Sequence, residues 1–286
     1  MEMLIFGHGY TAGWLTPALL AQGWRVTGTT RNHPARVSAA GAQALIWPGQ
    51  SEALRAAIAR ADAILISVAP GPEGDPVLAR FGADIAAARP GWLGYLSTTG
   101  VYGDRQGGWV DEDSPLTPST TRGHARVQAE SAWQALANRH GLALHIFRLA
   151  GIYGPGRGPF HKLRQGSARR IIKPGQVFSR IHVQDIAQAL MASIKAPQPG
   201  AIYNICDDQP LPPQDVITMA AQMLNLTPPP PEDFDSAEMT PMARSFYSES
   251  KRVSNRRMVR ELGVRLQYPD LASNLRAILA AESHDD

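Results

Sequence analysis

The sequence predicts an α/β protein: a doubly wound parallel sheet with a smaller C-terminal lobe. Three observations predict it. A short apolar run, Met3–Phe6, enters a glycine turn, and an amphipathic stretch follows through Leu20. Strand-like and helical segments then alternate as far as Arg148, the pattern of successive βαβ units. After Gly151 the texture changes to glycine, proline and basic residues.

The opening reads strand, tight turn, helix. Gly7-x-Gly9-x-x-Ala12 fits the dinucleotide-binding fingerprint, with alanine at its third position. Gly7 allows the turn, Gly9 lets backbone approach a pyrophosphate, and the small Ala12 lets helix and strand pack. Tyr10 and Thr11 complete the first helical turn, whose free N–H groups and dipole favour an anion. Arg25–Arg31 is the second strand. An NAD site would usually carry Asp or Glu near its end, to accept from the ribose 2′-hydroxyl. Thr29, Thr30 and Arg31 stand there instead, with Arg36 beyond. Hydroxyls and a guanidinium suit a 2′-phosphate, so NADP is preferred over NAD.

The alternation continues with a short strand at Ala44–Ile46, a helix over Glu52–Arg60 and a buried β-branched strand at Ala63–Val68. The loop Ala69–Gly74 leaves the carboxyl end of that strand, the edge where open parallel sheets bind ligands. Pro76–Arg89 is helical, Trp92–Ser97 a strand, and Gly107–Pro118 a loop whose Asp111, Glu112 and Asp113 offer a carboxylate for proton transfer but read more simply as solvated. Thr121–His140 is a long helix, with Trp133, Leu136 and Ala137 as core or as a helix–helix contact. Leu142–Arg148 is a strand. Tyr153–Pro159 is a glycine/proline loop, and four basic residues follow in Lys162–Arg170. Asp185 is the expected N-cap of a helix through Ile194. Ala201–Ile205 reads as a strand and Pro228–Pro231 as an extended linker. Ser254 is the expected cap of a helix ending at Leu262, with Gly263 as its stop.

Composition narrows the function classes. The chain has 286 residues and a formal charge of +3, mild enough to suit anionic small molecules. The basic clusters at Arg164–Arg170 and Lys251–Arg260 lack interleaved aromatics, so they read as solvated faces and not as a nucleic-acid surface. The single cysteine, Cys206, excludes an internal disulfide and a cysteine-based metal cluster, and no metal site is expected. No basic stretch precedes an apolar run at the start, and no run reaches the ~20 apolar residues of a membrane span. A cytoplasmic protein without membrane contact is expected.

Several segments, taken in order, resemble one family: the extended short-chain dehydrogenases/reductases grouped as NAD-dependent epimerases/dehydratases. They are Gly7–Ala12, Leu96–Asp104, Arg148–Gly156, Arg180–Asp185 and Tyr203–Ile205. The resemblance implies a Rossmann core over residues 1–155, with 179–205 returning to it. Residues 156–178 and 206–286 would form the substrate lobe. It also implies a bound nicotinamide cofactor, nucleotide-sugar or related carbonyl/alcohol chemistry, and a homodimer formed through the long helix.

The same resemblance exposes a departure. Relatives use a tyrosine to move the hydroxyl proton and a lysine one helical turn later to tune it and hold the ribose. A Ser or Thr on the preceding strand bonds the reacting oxygen, and Thr98 stands there. Arg126 stands at the lysine position, and Arg122, not tyrosine, lies four residues before it. A guanidinium stays protonated at working pH and cannot transfer the proton. Arg126 can still hold ribose or phosphate, and Arg122 can meet an anionic substrate from the same helical face. His124 points away from that face. Tyr102, Tyr153 and His182 are expected to border the crevice, each an open candidate for the proton transfer. The resemblance implies that the first two are mostly structural and that His182 lies near the substrate, and Tyr153 is also taken as a substrate contact. The proton-transfer residue is unassigned. Two functions follow: an NADP-preferring oxidoreductase or epimerase, or a cofactor-binding sensor or scaffold that has lost catalysis.

Overall fold

The computed structural model describes residues 1–282. The first half runs β1 (Glu2–Phe6), α1 (Tyr10–Ala21), β2 (Arg25–Thr30), α2 (Pro34–Ala39), β3 (Gln43–Ile46), α3 (Ser51–Arg60), β4 (Ala63–Ile66), α4 (Pro76–Ala88), β5 (Trp92–Thr98), β6 (Trp109–Val110) and α5 (Thr121–His140). The second runs β7 (Leu144–Leu149), β8 (Gly151–Tyr153), α6 (Pro159–Arg164), β9 (Arg170–Ile172), β10 (Arg180–His182), α7 (Val183–Lys195), β11 (Ile202–Ile205), α8 (Pro213–Met223), β12 (Pro231–Asp233), α9 (Pro241–Phe246), β13 (Arg252–Val253), α10 (Arg256–Leu262) and α11 (Leu271–Glu282).

Seven strands form one parallel sheet in the order β11-β7-β5-β4-β1-β2-β3. Helices cover both of its faces, which is why β1 after Glu2 and all of β4 are apolar without alternation. On one face Leu15 and Leu19 of α1 meet Ile186 and Leu190 of α7 and Met258 of α10. On the other, Leu54 and Ile58 of α3 join Phe81 and Ile85 of α4 with Trp133 and Ala137 of α5. Trp133 and Ala137 are therefore core. Caps fix the helix starts beside the sheet: Asp75 accepts from the amides of Val77 and Leu78 at 2.9 Å, and Thr120 from that of Gly123 at 3.1 Å. Among the described residues no helix is long and apolar enough to cross a membrane.

A third core belongs to the lobe: Phe160 and Leu163 of α6, Val216 and Ala220 of α8, Leu271 and Leu275 of α11. The lobe boundary differs from the expected 206–286. Between α9 and α11 the chain returns to the main body. There β13 pairs with β6, Val253 opposite Val110, and Met258 and Val264 join the main core.

One cap is also corrected. His182 precedes α7, and its Nδ1 accepts from the Gln184 amide. Asp185 lies inside that helix and accepts from the amides of Gln267 and Tyr268, at 2.8 and 3.1 Å. Asn255 immediately precedes α10, while Ser254 Oγ, one residue earlier, accepts from the Arg256 amide at 3.4 Å; the helix stops at Gly263 as expected. The four-proline stretch is not all linker, since Pro231 opens β12, which pairs with β9.

Candidate functional site

The glycine turn joins β1 to α1. Gly7 has φ +84°, and a β-carbon there would come within 3.0 Å of Val68 Cγ2, so glycine is required on two counts. The Gly7 amide donates to Thr29 Oγ1 and the His8 amide to the Thr29 carbonyl, each at 2.8 Å. These bonds pin the turn to β2. Gly9 is different. Its φ is −100°, and a β-carbon would find nothing closer than the Gly7 carbonyl at 3.9 Å. The protein's own packing does not demand glycine at position 9; the space is left open above the first turn of α1. The amides of Tyr10, Thr11 and Ala12 begin that helix with no carbonyl one turn behind them. Ala12 is buried against the sheet. Small second glycine, open space and free amides together fit a pyrophosphate.

Two neighbours complete this corner. The His8 ring lies against Gly28, and Thr16 Oγ1 donates to the Ala12 carbonyl at 2.8 Å. Thr16 must then accept from His8 Nε2, also at 2.8 Å, and burial lowers the His8 pKa. His8 is a neutral structural donor. On the outer side, the Tyr10 hydroxyl donates to the Pro155 carbonyl at 3.0 Å, and the Arg157 guanidinium lies 5.5 Å from the Tyr10 ring centre. Arg157 was hidden in sequence inside a loop with no periodicity. At the end of β2, Thr30 Oγ1 accepts from the His33 amide, while Arg31 and Arg36 are exposed.

A cavity of about 1140 Å³ opens at the carboxyl ends of β4, β5 and β7 and runs under the lobe. Thr11, Thr98, Arg122, Arg126 and Tyr153 all line it, as does Arg157. Thr98 Oγ1 accepts from the Gly100 amide at 3.2 Å, which leaves the hydroxyl proton free to donate. Arg126 Nη1 donates to the Tyr95 hydroxyl at 3.0 Å and to the Leu96 carbonyl at 2.8 Å. Arg122 is exposed and makes no ion pair among the described residues. Phe246 of α9, 57% exposed, faces the same cavity from the lobe.

Beneath the cavity floor lies a sealed polar network. Ser97 Oγ donates to Glu130, and Arg148 pairs with the same carboxylate at 2.8 Å; both charged groups are 3% exposed or less. Arg148 also donates to the Tyr102 hydroxyl at 2.9 Å, and that hydroxyl donates to Asn204 Oδ1 at 2.7 Å. Burial pushes the Tyr102 phenol up to about 12. Tyr102 is thus a structural hydroxyl and does not border the crevice. Glu112, expected to be solvated, accepts from the Asn204 amide at 2.7 Å and is buried.

His182 is likewise corrected. It is 1% exposed, stacks on Tyr268 at 3.7 Å between ring centres, and is absent from the cavity lining. Burial lowers its pKa to about 4, so the ring is neutral. The Tyr153 hydroxyl turns inward to accept from Asn274, and burial raises its pKa. Nearby, Asp207 is 2% exposed, and burial pushes it up to about 8 even with the Arg180 charge opposing. Its Oδ1 accepts from the Gln209 amide, and its Oδ2 has no partner. Sequence reading had no signal for Asp207, because nothing local distinguishes it from Asp208 beside it.

The comparisons agree with this architecture. The model of the NAD dependent epimerase/dehydratase family matches residues 85–206. Protein YeeZ of Escherichia coli (strain K12) is 30% identical over 283 residues, 94% of this chain and 97% of that one. A functionally unknown conserved protein from Silicibacter pomeroyi DSS has a solved structure that superposes with a TM-score of 0.91. It is 57% identical, over 98% of this chain and 99% of that one. UDP-glucuronic acid 4-epimerase from Bacillus cereus, solved with UDP-glucuronic acid and NAD, gives 0.80 over the full length of both chains. At 16% identity it shows the shared fold alone.

Proposed function

The chain belongs to the NAD dependent epimerase/dehydratase family, and from that premise we propose that it is an NAD(P)-dependent oxidoreductase or epimerase acting on a nucleotide-sugar or related carbonyl/alcohol substrate. The observation that carries the reading is the open first turn of α1, with its free amides above Gly9, leading into the cavity past Thr11. Gly7, Gly9, Tyr10, Thr11 and Ala12 hold the pyrophosphate. Thr30 and Arg31 face the adenosine ribose, where a guanidinium and no carboxylate favours NADP.

The nicotinamide coenzyme supplies hydride exchange when bound. The protein's part is to orient. Thr98 donates its free hydroxyl proton to the reacting oxygen, Arg126, anchored on Leu96, holds ribose or an anionic group beside it, and Arg122 meets substrate. The lobe, through Arg157 and Phe246, closes one side of the cavity to water. Tyr102 and His182, both sealed, are set aside as proton-transfer groups.

The two arginines also favour a second reading, a coenzyme-binding sensor or scaffold without turnover, because neither guanidinium can exchange a proton. Fluorescence titration with NADPH and NADH tests the premise, and Arg31→Ala tests the coenzyme choice. NADPH is expected to bind more tightly, by about tenfold, and the substitution to erase the difference. Equal affinities in the unsubstituted protein would remove the NADP assignment. NADPH oxidation across carbonyl compounds and nucleotide sugars then separates the readings, since the sensor binds coenzyme and turns nothing over.

A further inference from the structure

The cavity's charge is unbalanced at one place. Arg122 and Arg126 are i and i+4 on α5, side by side on the face that meets the carboxyl end of β5. Arg126 is held from behind. One nitrogen, Nη1, serves both the Tyr95 hydroxyl and the Leu96 carbonyl, with the guanidinium carbon 5.6 Å from the Tyr95 ring centre. That fixes the guanidinium plane and leaves Nε and Nη2 free to donate forward. Arg122 has no hydrogen bond or ion pair among the described residues.

Among the described residues no carboxylate is paired with either arginine. Glu130, one turn below Arg126, is wholly engaged by Arg148 and Ser97. Asp75, which lies near Tyr95, caps α4 and is 5% exposed. Of the cavity's two acids, Glu249 is paired with Lys251 at 2.6 Å. The other, Glu238, lines the cavity from the lobe segment between β12 and α9. On the functional reading above, the coenzyme's phosphates are served elsewhere, by the amides of α1. Two planar donors, one braced and one free, are thus left beside Thr98.

We propose that Arg122 and Arg126 form an oxyanion subsite, and that the substrate carries its own carboxylate or phosphate close to the carbon that reacts. This rests on the crevice being the hydride-transfer site. It narrows the substrate class from any carbonyl or alcohol to an acid. A guanidinium pair matches such a group with two parallel N–H···O bonds, stronger than neutral ones. The subsite also orients: an anion seated there turns the neighbouring carbinol toward Thr98.

The test uses the whole protein, titrated calorimetrically with sodium oxamate and with inorganic phosphate at fixed ionic strength, with and without saturating NADPH. At least one anion is expected to bind, and Arg122→Gln to weaken it by about tenfold or more. Arg139→Gln, an exposed arginine outside the cavity on the same helix, is expected to change nothing. Which anion binds tells a carboxylate from a phosphate. Binding of neither, or binding untouched by Arg122→Gln, overturns the subsite. The coenzyme arm is read separately. If neither NADPH nor NADH binds while oxamate or phosphate still depends on Arg122, the functional reading fails and the subsite stands. If coenzyme binds and the anions do not, the reverse holds.

Discussion

One helix, α5, holds two opposite treatments of charge. Its middle sends Glu130 inward, where Arg148 and Ser97 saturate it at 2% exposure. Its first turns carry Arg122 and Arg126 on that same face past the carboxyl edge of the sheet and into the cavity, where, among the described residues, their polar partners are a phenol and a carbonyl at Arg126. The sealed pair costs desolvation and gives back geometry, fixing β5, β7 and the Thr99–Tyr102 turn around one carboxylate. The open pair costs little to keep in water and holds its hydrogen-bonding capacity in reserve. The difference separates groups that hold the fold from groups left for a ligand, although both are arginines near one sheet edge.

The largest expected effect breaks the sealed side. Glu130→Ala strands Arg148 in the interior, and denaturant unfolding should lose about 3–5 kcal/mol. A loss under about 1 kcal/mol would mean that water reaches the pair and that the contrast is false.

Asp207 sharpens the contrast, because it is sealed but only half satisfied. Its pKa is raised in the fold, from 3.8 to about 8. The stability this carboxyl contributes is therefore fully present below about pH 4 and is lost as pH rises toward 8. Asp207→Asn should remove that decline, gaining about 1–3 kcal/mol at the alkaline end and little at the acid end. Thermal denaturation of both proteins across this range measures it, and parallel curves would discard the assignment.

The smallest stability effects belong to the open side. Gly9→Ala should change stability by no more than about 0.5 kcal/mol, since a β-carbon has room. It should weaken NADPH binding by about tenfold or more, because that room is where a phosphate approaches. A stability loss without an affinity loss would make position 9 structural. Arg122→Gln should likewise leave the unfolding midpoint where it is.

Legibility in the sequence follows the same line. The glycine turn, the strand–helix alternation and the continuous apolar strands are local patterns, and the sheet matches them to within a residue or two. That Arg122 and Arg126 share a face was legible as well, because i and i+4 residues are neighbours on a helix. What could not be read depends on partners far along the chain. Asp185 looked like a cap because it precedes an apolar helix, yet it binds amides more than eighty residues later. Glu112 sat among acids in a loop and looked solvated until the Asn204 amide claimed it. His182 belonged to a recognisable motif, but only the stacked Tyr268 shows that it is shut in. The lobe boundary was misplaced because the two-residue β13 is too short to announce itself.

That short strand has a larger consequence. The lobe is built from three separate passes, α6 with β9, α8 through α9, and α11, and the chain returns to the main body after each of the first two. No single stretch of sequence contains the lobe. It cannot be lifted out as a module, and one proteolytic nick would not shed it. Its core closes only where the three passes meet, so the chamber's far wall depends on the sheet that brings them together.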